Sequence, residues 1–291
     1  NLEENVNQIL YPKSPRSFGE KSRIKEVKKA SPNNLINFFK KYYRTNNMSF
    51  GIYGSLTNEL SNEIKQKLGG IKESCGINYS KYLYNNPNLK TNKVVFTKCP
   101  NAESFNLNLI FRVPHLYFSL EGDIAEGILN ILTLDLESIL TKRLRTIEGL
   151  VYNVDSNIDF DEYSHDLSTL SISTTVEGKN IQKVLNIIFE ILVNIKEKLI
   201  DNTELTKYKS YLRSEHKDKI TRRSPFSILN FYTHSALWDK KIITYDDYYK
   251  KISSISRLQI KNYSMRFFTK DNLIIAYGGK RNINLKIPTN L

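Results

Sequence analysis

From Ser31 onward, apolar residues fall at helical spacing, with Leu35, Phe38, Phe39 and Tyr42 at i, i+3, i+4 and i+7. Ser31 suits an N-cap and Pro32 a first helical position, so a helix is expected to begin there. Met48, Phe50 and Ile52 then alternate with small and polar residues up to Gly54, the pattern of a short strand. Thr57 opens a second helix carrying Leu60, Ile64 and Leu68, ended by Gly69–Gly70. Periodicity disappears over 71–91, a Tyr-rich stretch with Asn85-Asn86-Pro87 that reads as a linker. Strands are expected at 93–97 and at 105–113, where Phe105, Leu107, Leu109, Phe111 and Val113 alternate with polar residues until Pro114. A helix bearing Ile124, Ile128, Ile131, Leu132, Leu136, Ile139 and Leu140 should run to about Leu144, followed by strands at 151–158 and 167–176. Asn180 is placed to cap the clearest helix in the chain, whose stripe includes Ile181, Val184, Leu185, Ile188, Ile191, Leu192, Ile195 and Leu199. Helical stretches at 203–219, 225–238 and 257–267 and a strand at 273–277 complete the pattern. The fold class is α/β in the α+β sense, with sheets covered by helices.

The chain also repeats itself at an offset of 225 residues. Val27 aligns with Ile252, Leu35 with Ile260, Phe38 with Tyr263, and Tyr42–Tyr43 with Phe267–Phe268. Asn47 then falls on Asn272, Met48 on Leu273 and Gly54 on Gly279. Each copy reads as an aromatic-faced helix, an Asn-led turn and a strand closed by Gly, which predicts two similar domains in tandem. On this pattern the first copy lacks its beginning and the second is complete.

Composition narrows the function classes. Of 291 residues, 40% are apolar and only 12 are Gly and 8 Pro, which excludes a disordered or collagenous chain. No apolar run approaches the length of a membrane-spanning helix. Cys75 and Cys99 are too few for a disulfide framework or a thiolate metal cluster, and they fit a reducing, cytoplasm-like compartment. The formal charge of +13 comes in short basic clusters interrupted by acids. It reads as a solvated surface rather than a nucleic-acid site, because no basic stripe with interleaved aromatics occurs. Residue 1 is Asn, so the chain is expected to be a processed product or a piece of something longer, with any targeting signal upstream.

Candidate chemistry is sparse. His115, His165, His216 and His234 are each isolated, and Leu212 stands where a zinc helix ending in Glu215-His216 would need its first histidine. No complete zinc motif, nucleophile elbow or phosphate loop is present. The run Arg145-Thr146-Ile147-Glu148-Gly149-Leu150-Val151-Tyr152 is different in kind. A helix end, a Gly turn and a strand start can aim a guanidinium and a phenol into one cleft, where both donate hydrogen bonds to a carbonyl or oxyanion. The competing role is structural, with Arg145 capping helix carbonyls and Tyr152 packed on the sheet.

That run resembles the R-x-x-x-G-L-x-Y segment of the second domain of M16 peptidases, the pitrilysin, insulysin and mitochondrial-processing-peptidase family, or inverzincins. Phe105 to Pro114, ending in Arg-Val-Pro, resembles that domain's opening strand, Glu204 to Lys209 its E-L-x-x-x-K helix start, and Ile252 to Gly279 its closing helix and strand. Ser17 to Gly70 resembles the end of the family's first domain.

The resemblance implies tandem M16-type domains, each a mainly antiparallel sheet covered by helices. The C-terminal part of the first would span 1–70, a linker 71–91, and a complete second domain 92–291. It implies a zinc metalloendopeptidase whose H-x-x-E-H motif lies upstream of this chain. Zinc is then expected in the intact family member, with none bound by this chain and no catalytic or metal-ligating residue in it. Arg145 and Tyr152 would contact a peptide or protein substrate. The missing N-terminal segment or another M16-like subunit would be the partner. Two alternatives stand beside this reading, a non-catalytic M16-like scaffold subunit and a basic nucleic-acid-binding protein.

Overall fold

Five strands, β1 (Lys93–Lys98), β2 (Phe105–Val113), β3 (Val151–Asp159), β4 (Ser168–Val176) and β5 (Leu273–Gly279), form one sheet in the order β1-β5-β2-β4-β3. β1 and β5 run parallel, and the other three pairings are antiparallel. The computed structural model describes residues 1–12, 14–71, 93–113, 119–159, 168–222, 224–237 and 245–291. The linker expected at 71–91 therefore falls, apart from its first residue, outside the described residues, as do Cys75, Pro114, His115 and His165. The side chains of His216 and His234 are likewise outside them.

The period-2 pattern of β2 decides how the sheet is covered. Leu107, Leu109 and Phe111 lie opposite Thr174, Ile172 and Leu170 of β4 and share one buried face. The helices α5 (Leu120–Thr133), α7 (Ile181–Glu197) and α11 (Arg257–Phe267) supply further buried residues to this core, among them Leu132, Ile188 and Tyr263. Phe111 meets Phe268, just past α11, at a ring-centroid distance of 4.9 Å. On the opposite face, α1 (Leu2–Leu10) lays Val6 and Leu10, with Tyr11 behind them, onto Val95, Ile110, Ile274 and Ala276. Each such aliphatic burial contributes about 1.5–3 kcal/mol, enough to hold a nine-residue helix that would not persist alone. Asn1 caps α1 by accepting from Glu3 N, an element absent from the sequence expectation although Leu2, Val6 and Ile9 keep helical spacing.

The chain divides into two compact units. One comprises Asn1–Gly19, Leu83–Leu212 and Lys250–Leu291, and contains the sheet; the other comprises Glu20–Tyr82 and Arg213–Tyr249. Residues 1–19 thus group with the sheet through α1 rather than with residues 20–70. The second unit holds α2 (Glu20–Lys29), α3 (Pro32–Tyr42), α4 (Asn58–Gly69), part of α8 (Asn202–Arg222) and α9 (Pro225–Leu237). α6 is the short helix Ile139–Thr141, and α10 spans Tyr245–Ser253.

Three expectations are corrected. Met48 to Gly54 is not a strand. It lies against α9, where Ser49 Oγ donates to Thr233 O at 3.0 Å and a Cβ on Gly51 would stand 2.3 Å from Thr233 Oγ1. No described strand pairs with it, so its alternation has no ladder to join. The helix expected to run to Leu144 breaks after Thr133. There Asp135 Oδ1 accepts from Glu137 N and Ser138 Oγ, and Ser138 Oγ accepts from Asp135 N, so local side-chain bonds replace helical ones. Asn180 does occupy the N-cap position of α7, but its side chain makes no capping bond.

Candidate functional site

Past the break, α6 passes into a π-helical turn, Lys142–Ile147. Here Glu148 N donates to Arg143 O, an i to i−5 bond of 3.1 Å, which widens the turn. Gly149 follows at φ 59°, a left-handed conformation that glycine adopts without a Cβ penalty. Leu150 N then donates back to Leu144 O at 2.9 Å and closes the helix end. β3 starts directly afterwards with a register irregularity between Val151 and Val154. Val151 and Val154 are buried, while Tyr152 and Asn153 between them point outward.

This geometry brings the two candidate residues together. Arg145 Cζ lies 4.8 Å from the centroid of the Tyr152 ring, and Tyr152 is 81% exposed. A tyrosine packed on the sheet is therefore not what the structure contains. A guanidinium held over a ring retains several N–H donors that can meet an acceptor lying beside it.

The turn carrying Arg145 is anchored by Glu148. Its carboxylate accepts from Lys183 of α7 at 2.7 Å and pairs with Arg143 at 3.0 Å, and the Lys183 hydrogen bond holds its pKa below the ordinary glutamate value. The nearest acid in sequence is thus engaged elsewhere. Arg145 keeps its charge available beside the phenol.

Sequence reasoning missed a cleft of about 250 Å³ at the α5–α6 break, lined in part by Asp135, Glu137, Glu204 and Tyr208. Two of its three carboxylates are paired, Glu137 with Lys142 at 2.7 Å and Glu204 with Lys207 at 3.1 Å, and Asp135 accepts from Glu137 N and Ser138 Oγ. Among the described residues no group of three or more His, Cys, Asp or Glu side chains could hold a metal ion. Among them, too, no helix is long and apolar enough to cross a membrane.

A mixed α/β unit with a five-stranded, mostly antiparallel sheet under helices is the fold of M16-type domains. The family described as peptidase M16 inactive domain matches residues 29–212, and the chain belongs to it. Solved structures agree on the fold. A protease from Helicobacter pylori aligns at TM-score 0.74 and 13% identity, over 91% of this chain and 62% of that one. The peptidase M16 inactive domain from Pseudomonas fluorescens aligns at 0.75 and 15%, over 98% and 66%. A chain of complex III2 from Candida albicans aligns at 0.76 and 10%, over 99% and 68%. The present chain spans less than two thirds of the length of the first two. No curated protein matches its sequence.

Proposed function

We propose that this chain is the C-terminal, substrate-holding portion of an M16-type zinc metalloendopeptidase, with the zinc site on sequence outside it. The observation that carries this reading is the Arg145–Tyr152 pair, with the guanidinium carbon 4.8 Å from the ring centroid and Tyr152 exposed at the start of β3. A peptide carbonyl beside the ring would accept from the Arg145 guanidinium, and the Tyr152 hydroxyl would donate to the oxygen as negative charge develops on it. Glu148 and Gly149 act by positioning, the first tying the turn to α7 and the second allowing it to close. Zinc, held elsewhere, would polarise the scissile bond; this chain's residues bind and orient the peptide.

The test is made in the longer gene product that contains this chain. Tyr152→Phe should lower kcat by roughly one to three orders of magnitude, since a well-placed oxyanion donor contributes about 2.7–4 kcal/mol. Arg145→Lys keeps charge but loses the planar fork, so it should chiefly raise KM. Both variants should melt within about 1–2 °C of the parent, because neither side chain fills the core. Full activity with a substantially lower melting temperature in both would overturn the reading.

A second reading is a non-catalytic scaffold subunit. It is favoured by the alignment with the complex III2 chain over 99% of this sequence. An intact H-x-x-E-H upstream in the gene supports the peptidase; a degenerate one supports the scaffold.

A further inference from the structure

Along β4, Leu170, Ile172 and Val176 share the buried face of the sheet, and Thr174 interrupts their row at 6% exposure. A hydroxyl among aliphatic neighbours is destabilising unless it finds a partner, and valine would fill the same space without that need. The partner is on the next strand: Thr174 Oγ1 donates to the Asn153 carbonyl of β3 at 2.5 Å. That carbonyl belongs to the irregular start of β3, where Tyr152 stands.

The register shows what this bond holds. Val151 faces Val176 and Val154 faces Thr174, so Tyr152 and Asn153 together stand opposite Thr175, a bulge of two residues against one. Side chains alternate along a regular strand, and counted back from the buried Val154, Tyr152 would point into the core. The bulge turns it outward instead, where it is exposed and lies beside Arg145. Tyr152 is thus fixed from both sides along the chain. Before it, Leu150 N donates to Leu144 O and closes the Gly149 turn; after it, Thr174 holds the Asn153 carbonyl. The outer side chains around the bulge are turned to other partners. Asn153 Nδ2 donates to Asp155 Oδ2 at 2.7 Å, and Thr175 Oγ1 donates to Asn106 Oδ1 at 3.0 Å.

We infer that Thr174 is a positioning residue for the Arg145–Tyr152 pair: its buried hydroxyl pins the bulge that presents the phenol beside the guanidinium. Thr174 lies on the helix-covered face and acts through Tyr152 rather than on a substrate. Bulges re-aim side chains next to functional sites, and a reacting group displaced by about 1 Å can lose about 10²-fold in rate. The effect on rate rests on the reading of Arg145 and Tyr152 as substrate-contacting groups. The hold on the bulge is a property of this chain alone and is measured separately.

Thr174→Val keeps the shape and removes the donor, whereas Thr174→Ser keeps the donor and removes a methyl group. The first readout is nuclear magnetic resonance of the whole 291-residue chain labelled with carbon-13 arginine. The δ-methylene signal of Arg145, identified by its loss in Arg145→Lys, should be displaced by the ring current of Tyr152, and Tyr152→Leu gives its undisplaced position. Thr174→Val should move the signal most of the way to that position, and Thr174→Ser should leave it in place. The second readout is peptidase kinetics of the longer gene product. There Thr174→Val should lower kcat by about tenfold, with a smaller rise in KM, and Thr174→Ser should restore it. Ser264→Ala is the control: it removes another buried hydroxyl, which donates to Ile260 O at 2.9 Å within α11, and should lower stability while moving neither readout. Should Thr174→Val fail to fold, Thr174→Ala removes the same donor with less bulk and is read in the same way. The inference is overturned if the Arg145 signal stays in place when the donor is lost, if Thr174→Ser moves it as far, or if Ser264→Ala does. It is also overturned if an active longer product keeps its full kcat in Thr174→Val. A longer product without peptidase activity, with the Arg145 signal still following the Thr174 hydroxyl, removes the peptidase reading and leaves the positioning role.

Discussion

Residues 32–54 and 257–279 start from nearly the same local instructions and end in different surroundings. Both helices have 11 residues, both open with a Ser capping box, and both close on an aromatic C-cap, Tyr43 at φ −86° and Phe268 at φ −82°. Both continue into a three-residue 3₁₀ turn, where Asn47 donates to Tyr42 O at 2.8 Å and Asn272 to Phe267 O at 3.3 Å. Beyond that point they diverge. Residues 273–279 become a fully buried central strand, whereas 48–54 stay irregular against α9. Caps, turns and helical periodicity act within a few residues and are encoded locally. A strand needs a neighbour to share its ladder, and only the second copy has β1 and β2 on either side.

The most forceful test of this comparison is to delete matched aromatics. Phe268 is fully buried against Phe111, so Phe268→Ala should cost about 3–5 kcal/mol in the sheet unit. Its repeat partner Tyr43 is 51% exposed, and Tyr43→Ala should cost no more than about 1 kcal/mol. Denaturant unfolding of the two variants measures both. Equal losses would mean that the first copy is packed as tightly as the second, and the contrast would fail.

A smaller effect should be shared. Ser31 and Ser256 make the same reciprocal caps, with Asn34 N donating to Ser31 Oγ at 3.2 Å and Gln259 N to Ser256 Oγ at 3.2 Å. Ser31→Ala and Ser256→Ala should therefore each cost about 1 kcal/mol of local stability. Hydrogen exchange at the first turns of α3 and α11 reads this directly. A loss confined to α11 would show that the cap matters only where tertiary packing already holds the helix.

What was legible in the sequence follows the same division. The strands β1 to β5 and α3, α4, α7, α8, α9 and α11 were marked by periodicity and caps, and the helix–turn–strand bearing Arg145 and Tyr152 by a Gly between a basic helix end and an aromatic strand start. The contact of Arg145 with the Tyr152 ring was not, because it depends on a π-helical turn and a strand irregularity that leave no period. α1 was overlooked because its short apolar stripe becomes decisive only when laid on Ile110 and Ile274. α2 is short, strongly charged and buries none of its residues, and α10 is only nine residues long, although Tyr245, Tyr248, Tyr249 and Ile252 keep helical spacing in it. The break at Asp135–Ser138 was hidden by Leu136 and Ile139, which keep helical spacing while the side chains of Asp135 and Ser138 pull the backbone out of it.

The smallest expected effect makes the second copy more like the first. Phe38 is matched by Tyr263, which is buried and whose hydroxyl has no hydrogen-bond partner among the described residues. Burial raises the Tyr263 pKa far above the ordinary tyrosine value. A hydroxyl buried without a partner carries a desolvation cost, so Tyr263→Phe should be neutral or stabilising by up to about 1 kcal/mol near pH 7. The pH dependence gives an independent check. The folded pKa lies above the unfolded value of about 10, so the folded state holds its proton more tightly. The associated stability is fully present below about pH 10 and is lost as pH rises beyond it, because the unfolded chain gains by ionising there. Tyr263→Phe removes that contribution, so its advantage over the parent should widen between about pH 10 and 11. A variant that is less stable at pH 7, with no change in the alkaline slope, would show that the hydroxyl is satisfied in the folded protein and that tyrosine is there for its hydrogen bond.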